Sequence, residues 1–187
     1  MENLTESDNN FISELNCIKR SDDMNSANRM MVPKKVFFTS GVGKHKDPLI
    51  SFELALRDAG IEKFNLVTVS SVFPPGCKII ESKKGISELY PGQIVFTVMA
   101  RITSDEQGKK IFASIGAALP SDPTLNGYIT EYHGYWDGED KGTHAENMAA
   151  YMLNTAFGIK PHKKFNITRI AEVEEITTVI SAAVFVM

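Results

Sequence analysis

The chain has 187 residues, 43% of them hydrophobic and 23% charged, and a formal net charge of −3. These are ordinary values for a globular protein long enough to bury a substantial core. The mildly acidic balance argues against nucleic acid as the main partner, because a phosphate-tracking surface carries a basic excess.

Residues 1–32 are rich in Asn, Ser, Asp and Met, with no apolar run of the signal-peptide kind. This segment is expected to be a tail dispensable for the fold, with one short amphipathic patch at Phe11, Ile12, Leu15 and Ile18. Residues 33–187 are expected to form one domain. Val36-Phe37-Phe38-Thr39 predicts a strand that ends in Ser40-Gly41-Val42-Gly43. Asp47-Pro48 then supplies an N-cap and a first-turn proline, for a helix that runs to Ala59 and stops at Gly60. Asn65 to Val69 alternates, is β-branched and predicts a strand, and a loop through Tyr90-Pro91-Gly92 comes later. Three strands follow, Gln93–Thr103, Lys110–Leu119 and Gly127–Tyr135, with Ser104-Asp105-Glu106-Gln107-Gly108 predicting a hairpin between the first two. Ala145–Phe157 has helical spacing and Gly158 ends it; Phe165–Val173 and Thr177–Phe185 close the chain as strands. The apolar run from Ile176 to Met187 is too short to span a bilayer, so no membrane partner is expected. The order predicts an α+β fold, an αββα-type layered sandwich of mostly antiparallel strands with helices on the outside. Cys17 and Cys77 form no disulfide framework and no zinc spacing, which predicts free thiols in a reducing cytoplasm.

The most informative feature is Ser70-Ser71, at the end of a predicted strand and followed by Val72-Phe73-Pro74-Pro75-Gly76. Proline fixes its own φ and pushes the preceding residue out of the helical region, so the chain passes from a strand through two hydroxyl residues into a stiff turn. Such a place can hold the Ser70–Ser71 peptide in a strained geometry beside a hydroxyl able to attack it. A serine pair before Pro-Pro-Gly is equally well explained as a plain loop.

Three linked motifs tilt that balance. Asp47-Pro48-Leu49, Asn65-Leu66-Val67-x-Val69-Ser70-Ser71-x-x-Pro74-Pro75 and Gly127-x-Ile129-x-Glu131-Tyr132 follow in this order, and the chain from about residue 35 to 185 resembles the pyruvoyl-dependent arginine decarboxylases. The resemblance implies self-cleavage between Ser70 and Ser71. Ser71 Oγ attacks the Ser70 carbonyl, the amide becomes an ester, and elimination leaves residue 71 as a covalent pyruvoyl group, with no metal and no pyridoxal phosphate. It implies decarboxylation of L-arginine to agmatine through a Schiff base on that group, with Glu131 as proton donor. It also implies Glu53 as receptor of the substrate guanidinium, where the family typically has aspartate, with Leu49, Asn65 and Ile129 as further substrate contacts. A homo-oligomer is implied as well, a trimer with sites between subunits.

From the residues alone, Glu53 falls in or at the edge of the apolar stripe Leu49, Phe52, Leu56, Ala59, where a carboxylate is either paired or, as a boundary residue, reaches solvent. Glu131 shares a strand face with Ile129 and His133, and a carboxylic acid donates protons near neutral pH only if its surroundings favour the neutral form. Gly41-Val42-Gly43-Lys44 fails the phosphate-loop spacing, and the four histidines share no metal-ligand spacing. Two alternatives stay open: a pyruvoyl enzyme for another cationic amino acid, and an unprocessed paralogue acting as a binding module.

Overall fold

The computed structural model describes residues 31–187. In chain order it contains β1 (Lys35–His45), α1 (Pro48–Ala59), β2 (Asn65–Thr68), β3 (Val72–Phe73), β4 (Lys78–Ile79), α2 (Ser82–Ser87) and β5 (Ile94–Ser104). It continues with β6 (Lys110–Leu119), β7 (Gly127–Tyr135), α3 (Lys141–Phe157), β8 (Lys163–Glu172) and β9 (Ile176–Val186). The strands form two sheets, A in the order β2-β5-β9-β1-β4 and B in the order β3-β7-β6-β8. Only β1–β4 and β2–β5 pair parallel; all other pairs in the two sheets are antiparallel, which makes an α+β fold. The predicted tail lies outside the described residues except for Met31 and Val32.

One face of each sheet contributes to a shared core that includes Val36, Val98, Ala100 and Val179 from sheet A and Ile111, Ile115 and Ile129 from sheet B. The other face of sheet A buries α1, through Ala55, Leu56 and Ala59 against Phe37, Ile180 and Val184. The other face of sheet B meets α3, where Ala149 and Leu153 cover Ala118.

Helix α1 forms where its caps predict. Asp47 Oδ1 accepts from the Leu49 and Ile50 amides at 2.8 and 3.1 Å, and Gly60 closes the helix in the left-handed region at φ 75°. Its buried stripe differs from the predicted one. Ser51, Ala55, Leu56 and Ala59 are buried, whereas Leu49 is 74% exposed because it stands two residues before Ser51, nearly on the opposite side of the helix.

The predicted break at Ser40–Gly43 is also corrected: β1 runs unbroken to His45 and pairs along its whole length with β9. Its glycines serve the helix above. A Cβ on Gly41 would lie 2.1 Å from Ala55 O, and one on Gly43 2.0 Å from Ser51 O. Small residues on both elements let the two backbones approach, and this explains the Gly-Val-Gly run that fails as a phosphate loop.

The predicted hairpin at 104–108 does not exist. β5 belongs to sheet A and β6 to sheet B, so that turn is a corner between sheets, as is the turn between β8 and β9. Turn residues reverse the chain in both cases; the partner is decided by burial. β6 and β9 are buried on both faces and take central positions. The short elements β3, β4 and α2 were not predicted, and α3 starts at Lys141 rather than Ala145. Gly142, Thr143 and His144 are poor helix formers, but Asp140 caps the Thr143 amide at 3.0 Å.

Gly43→Ala is expected to lower unfolding free energy by about 3 kcal/mol, at the upper end of overpacking costs, because the clash is with backbone that cannot rotate away. Urea denaturation followed by circular dichroism measures it.

Candidate active site

The Ser70–Ser71 peptide is the crossing between the two sheets. On one side the ladder of β2 with β5 persists to Val69, whose amide donates to Thr97 O at 3.0 Å. On the other, Val72 already pairs with Tyr128 in sheet B. Two residues therefore make the whole connection. Ser70 is exposed and Ser71 half-buried, while Phe73 and Pro74 are buried and anchor the chain beyond them. Pro74 thus helps hold the downstream flank in place.

Three hydrogen bonds fix the pair. The Val72 amide donates to Ser70 O at 2.9 Å, closing a three-residue turn about Ser71. The Ile129 amide donates to Ser71 O at 2.9 Å. Ser71 Oγ donates to Glu131 Oε2 at 2.9 Å. Backbone strain in the left-handed region is not the device here, since no non-glycine residue among those described has positive φ. The constraint is tethering at both ends, together with an N–H already aimed at the carbonyl oxygen that attack on Ser70 would charge. A donor so placed favours an oxyanion. The Val72 donor was missed in the sequence because it depends on the conformation of the crossing and on no residue type.

Glu131 reaches Ser71 because β7 is antiparallel to both β3 and β6, which sets Ile129 in the inter-sheet core and Glu131 two residues further along the same face. His133, next on that face, is exposed. The geometry therefore brings Ser70, Ser71, Ile129 and Glu131 together. A carboxylate at 2.9 Å from a hydroxyl can take its proton, and it stands beside residue 71 for any later proton transfer.

Glu53 and Leu49 stand on α1, over the opposite face of sheet A, and Asn65 opens β2 at the edge of that sheet. Leu66 packs into the α1 layer and Val69 into the inter-sheet core, so alternation along β2 sends Leu66 and Thr68 towards α1 and Ser71 towards sheet B. Between α1 and the β2–β5 edge lies a cavity of about 440 Å³, whose walls include Phe52, Leu56, Asn65, Thr68, Met99 and Arg101. Arg101 stacks its guanidinium 3.6 Å from the Phe52 ring centroid. Glu53 follows Phe52 on the helix but is held by its neighbour one turn on, with Arg57 Nε donating to Glu53 Oε1 at 2.9 Å. The Asn65 amide is spent locally: its Nδ2 donates to Gly92 O at 2.6 Å, which locks the turn before β5 instead of touching the serine pair. Within one chain, the Glu53 group and the Glu131 group do not share a cleft.

Cys77 lines a smaller cavity of about 170 Å³ with Phe73, Leu119 and Gly127, and burial pushes its thiol up to about 11. Among the described residues no three His, Cys, Asp or Glu side chains converge as metal ligands.

Comparison with known proteins adds an independent line. The family model described as pyruvoyl-dependent arginine decarboxylase matches residues 35–187. The chain is 71% identical over 157 residues to the pyruvoyl-dependent arginine decarboxylase 1 of Archaeoglobus fulgidus, covering 84% of this chain and 100% of that relative. It is 57% identical over 162 residues to the pyruvoyl-dependent arginine decarboxylase of Methanocella arvoryzae, covering 84% of this chain and 98% of the relative. A probable pyruvoyl-dependent arginine decarboxylase of Chlorobaculum parvum is 51% identical over 175 residues, covering 82% of this chain and 97% of its own.

A thiol pKa of about 11 in place of 9.0 cuts the thiolate fraction at pH 8 roughly a hundredfold. Iodoacetamide is therefore expected to alkylate Cys77 about a hundredfold more slowly in the folded protein than in urea, as followed by peptide mass mapping.

Proposed function

The chain belongs to the pyruvoyl-dependent arginine decarboxylase family, and on that premise we propose how its own residues carry the reaction. The activity is that of a carbon–carbon lyase, decarboxylating L-arginine to agmatine and CO2 with a covalent pyruvoyl group, and it uses neither pyridoxal phosphate nor a metal. The observation that carries the assignment of residues is the 2.9 Å contact of Ser71 Oγ with Glu131, at a peptide tethered to two sheets.

Maturation starts at Ser71. Its Oγ forms a bond to the Ser70 carbonyl carbon while the Val72 amide supports the charge that builds on Ser70 O. The Ser70–Ser71 C–N bond breaks, the hydroxyl proton ends on the freed nitrogen, and an ester joins the two pieces. Loss of a Cα proton from residue 71 expels the Ser70 carboxylate. That elimination separates residues 1–70 from 71–187; the enamine left on residue 71 takes a proton at Cβ to become an imine, which water hydrolyses to the ketone with release of ammonia. Both chains remain seated, since β2 stays paired with β5 and β3 with β7.

The pyruvoyl carbonyl supplies the electron sink for loss of CO2. Glu131 holds the proton that the substrate α-carbon receives, and the Ile129 amide fixes the backbone carbonyl of residue 71. Glu53 receives the guanidinium, for which a carboxylate offers two acceptor oxygens to a planar fork of donors. The two groups lie on opposite faces of sheet A, which supports assembly from several copies, a trimer, with each site completed between neighbours. The helix and sheet layers support an αββα sandwich, and a small amino-acid substrate suits a cytoplasmic enzyme. Arginine is preferred over other cationic amino acids because its guanidinium can engage both oxygens of Glu53.

Ser71→Ala is expected to give one intact chain that is inert to phenylhydrazine, whereas the unaltered protein yields two pieces with the trap on residues 71–187 alone. Intact mass spectrometry reads both; scission of the alanine variant would refute the assignment of the nucleophile. Glu131→Gln is expected to reduce kcat by about 10²-fold or more while leaving arginine binding within a few-fold. Equal losses in kcat and in binding would make Glu131 a binding residue instead.

A further inference from the structure

The carboxylate assigned to the substrate guanidinium already holds a guanidinium of the chain itself. Arg57 lies one turn after Glu53 on α1 and donates through Nε to Glu53 Oε1 at 2.9 Å. The contact uses one donor and one oxygen; Oε2 and the terminal nitrogens of Arg57 form no hydrogen bond among the described residues. The Arg57 side chain is 62% exposed and that of Glu53 38%, so the acid is the more sheltered partner and the arginine is free to swing away. A helical pair of this spacing and exposure shifts an equilibrium only about twofold. A second guanidinium that engages both oxygens with its planar fork is the stronger ligand.

We propose that Arg57 is a built-in competitor for the substrate guanidinium at Glu53. This rests on Glu53 being the guanidinium receptor. In the empty site the pair is neutral overall, so Glu53 is not left as a bare anion to collect other cations. Arginine must displace Arg57 and then bind beside its positive charge. The product bears the cost more heavily. Arginine carries a carboxylate that offsets one of its two positive charges, whereas agmatine has lost it and presents two uncompensated charges. Arg57 therefore weakens retention of product more than capture of substrate, and it favours turnover.

The test is calorimetric binding of agmatine to the full-length protein and to its Arg57→Leu, Arg57→Lys, Glu53→Gln and doubly substituted forms. Removing a like charge about 4 Å from the bound guanidinium is worth about fivefold in water-like surroundings. Arg57→Leu is thus expected to tighten agmatine about fivefold, with a steeper loss of affinity as salt is raised. Arg57→Lys is expected to stay near the starting affinity. Glu53→Gln is expected to weaken binding at least tenfold and to abolish the gain from Arg57→Leu. If Arg57→Leu leaves affinity unchanged or lower while Glu53→Gln still weakens it, the competitor role is wrong and Glu53 keeps its assignment. If the gain persists without the Glu53 carboxylate, Arg57 acts as a general surface charge and the proposal fails. If Glu53→Gln does not weaken binding, Glu53 is not the receptor and both readings fall together.

Discussion

Two residues span the gap between two hydrogen-bonded sheets, and the chemistry of this protein hangs on that short bridge. Ladders pin Val69 to Thr97 and Val72 to Tyr128, so the Ser70–Ser71 peptide can neither slide nor relax into either sheet. An amide free in solution resists attack by a neighbouring hydroxyl because the reacting atoms seldom meet and the developing charge finds no fixed donor. Here the Val72 amide already points at Ser70 O, and the Ser71 hydroxyl already has an acceptor in Glu131. Preorganisation of this kind lowers a barrier without requiring a distorted ground state.

The same bridge would let the fold outlast the proposed cleavage. Each flank of the scissile bond belongs to a different sheet, and each sheet has its own ladder and its own share of the common core. Scission releases one covalent link and leaves every cross-strand pair of β2 and β3 intact. After the proposed cleavage residue 71 would be a chain end whose carbonyl the Ile129 amide already holds. Anchoring of a new terminus is what a reactive carbonyl needs if substrates are to meet it in one orientation.

Packing density sets the frame around this site. The approach of α1 to β1 at Gly41 and Gly43 leaves no room for a Cβ, and Gly116 beneath Ala145 repeats the device under α3. These contacts fix the helices on their sheets and so fix where Phe52, Glu53 and Arg57 stand relative to the β2 edge. The result is that Glu131 and Glu53, to which we assign proton transfer and cation binding, stand on opposite sides of sheet A. On the proposed roles, such a division would tie activity to assembly, with neighbouring copies bringing the two groups together.

Local signals read from the sequence located α1 and its caps, the β6 and β7 bounds, and the serine pair with its stiff downstream turn. They succeed because caps, alternation and proline act through the residues beside them. Glu53 stands at the boundary of the helix, part-exposed, with Arg57 one turn on as its partner. Leu49 misled because apolar spacing marks a stripe without saying which side of it turns to the sheet. The hairpin at 104–108 misled because turn chemistry reverses a chain without choosing the sheet it enters. The break at Gly41–Gly43 misled because glycine in a strand marks close approach as readily as a turn. What tertiary structure alone decided is pairing at a distance: Ser71 with Glu131, sixty positions apart, the Val72 amide on Ser70 O, and the separation of Glu53 from Glu131 by a sheet. Those contacts arise only once β2 and β3 enter different sheets, and that choice is made by burial summed over β6 and β9, which no window of neighbouring residues contains.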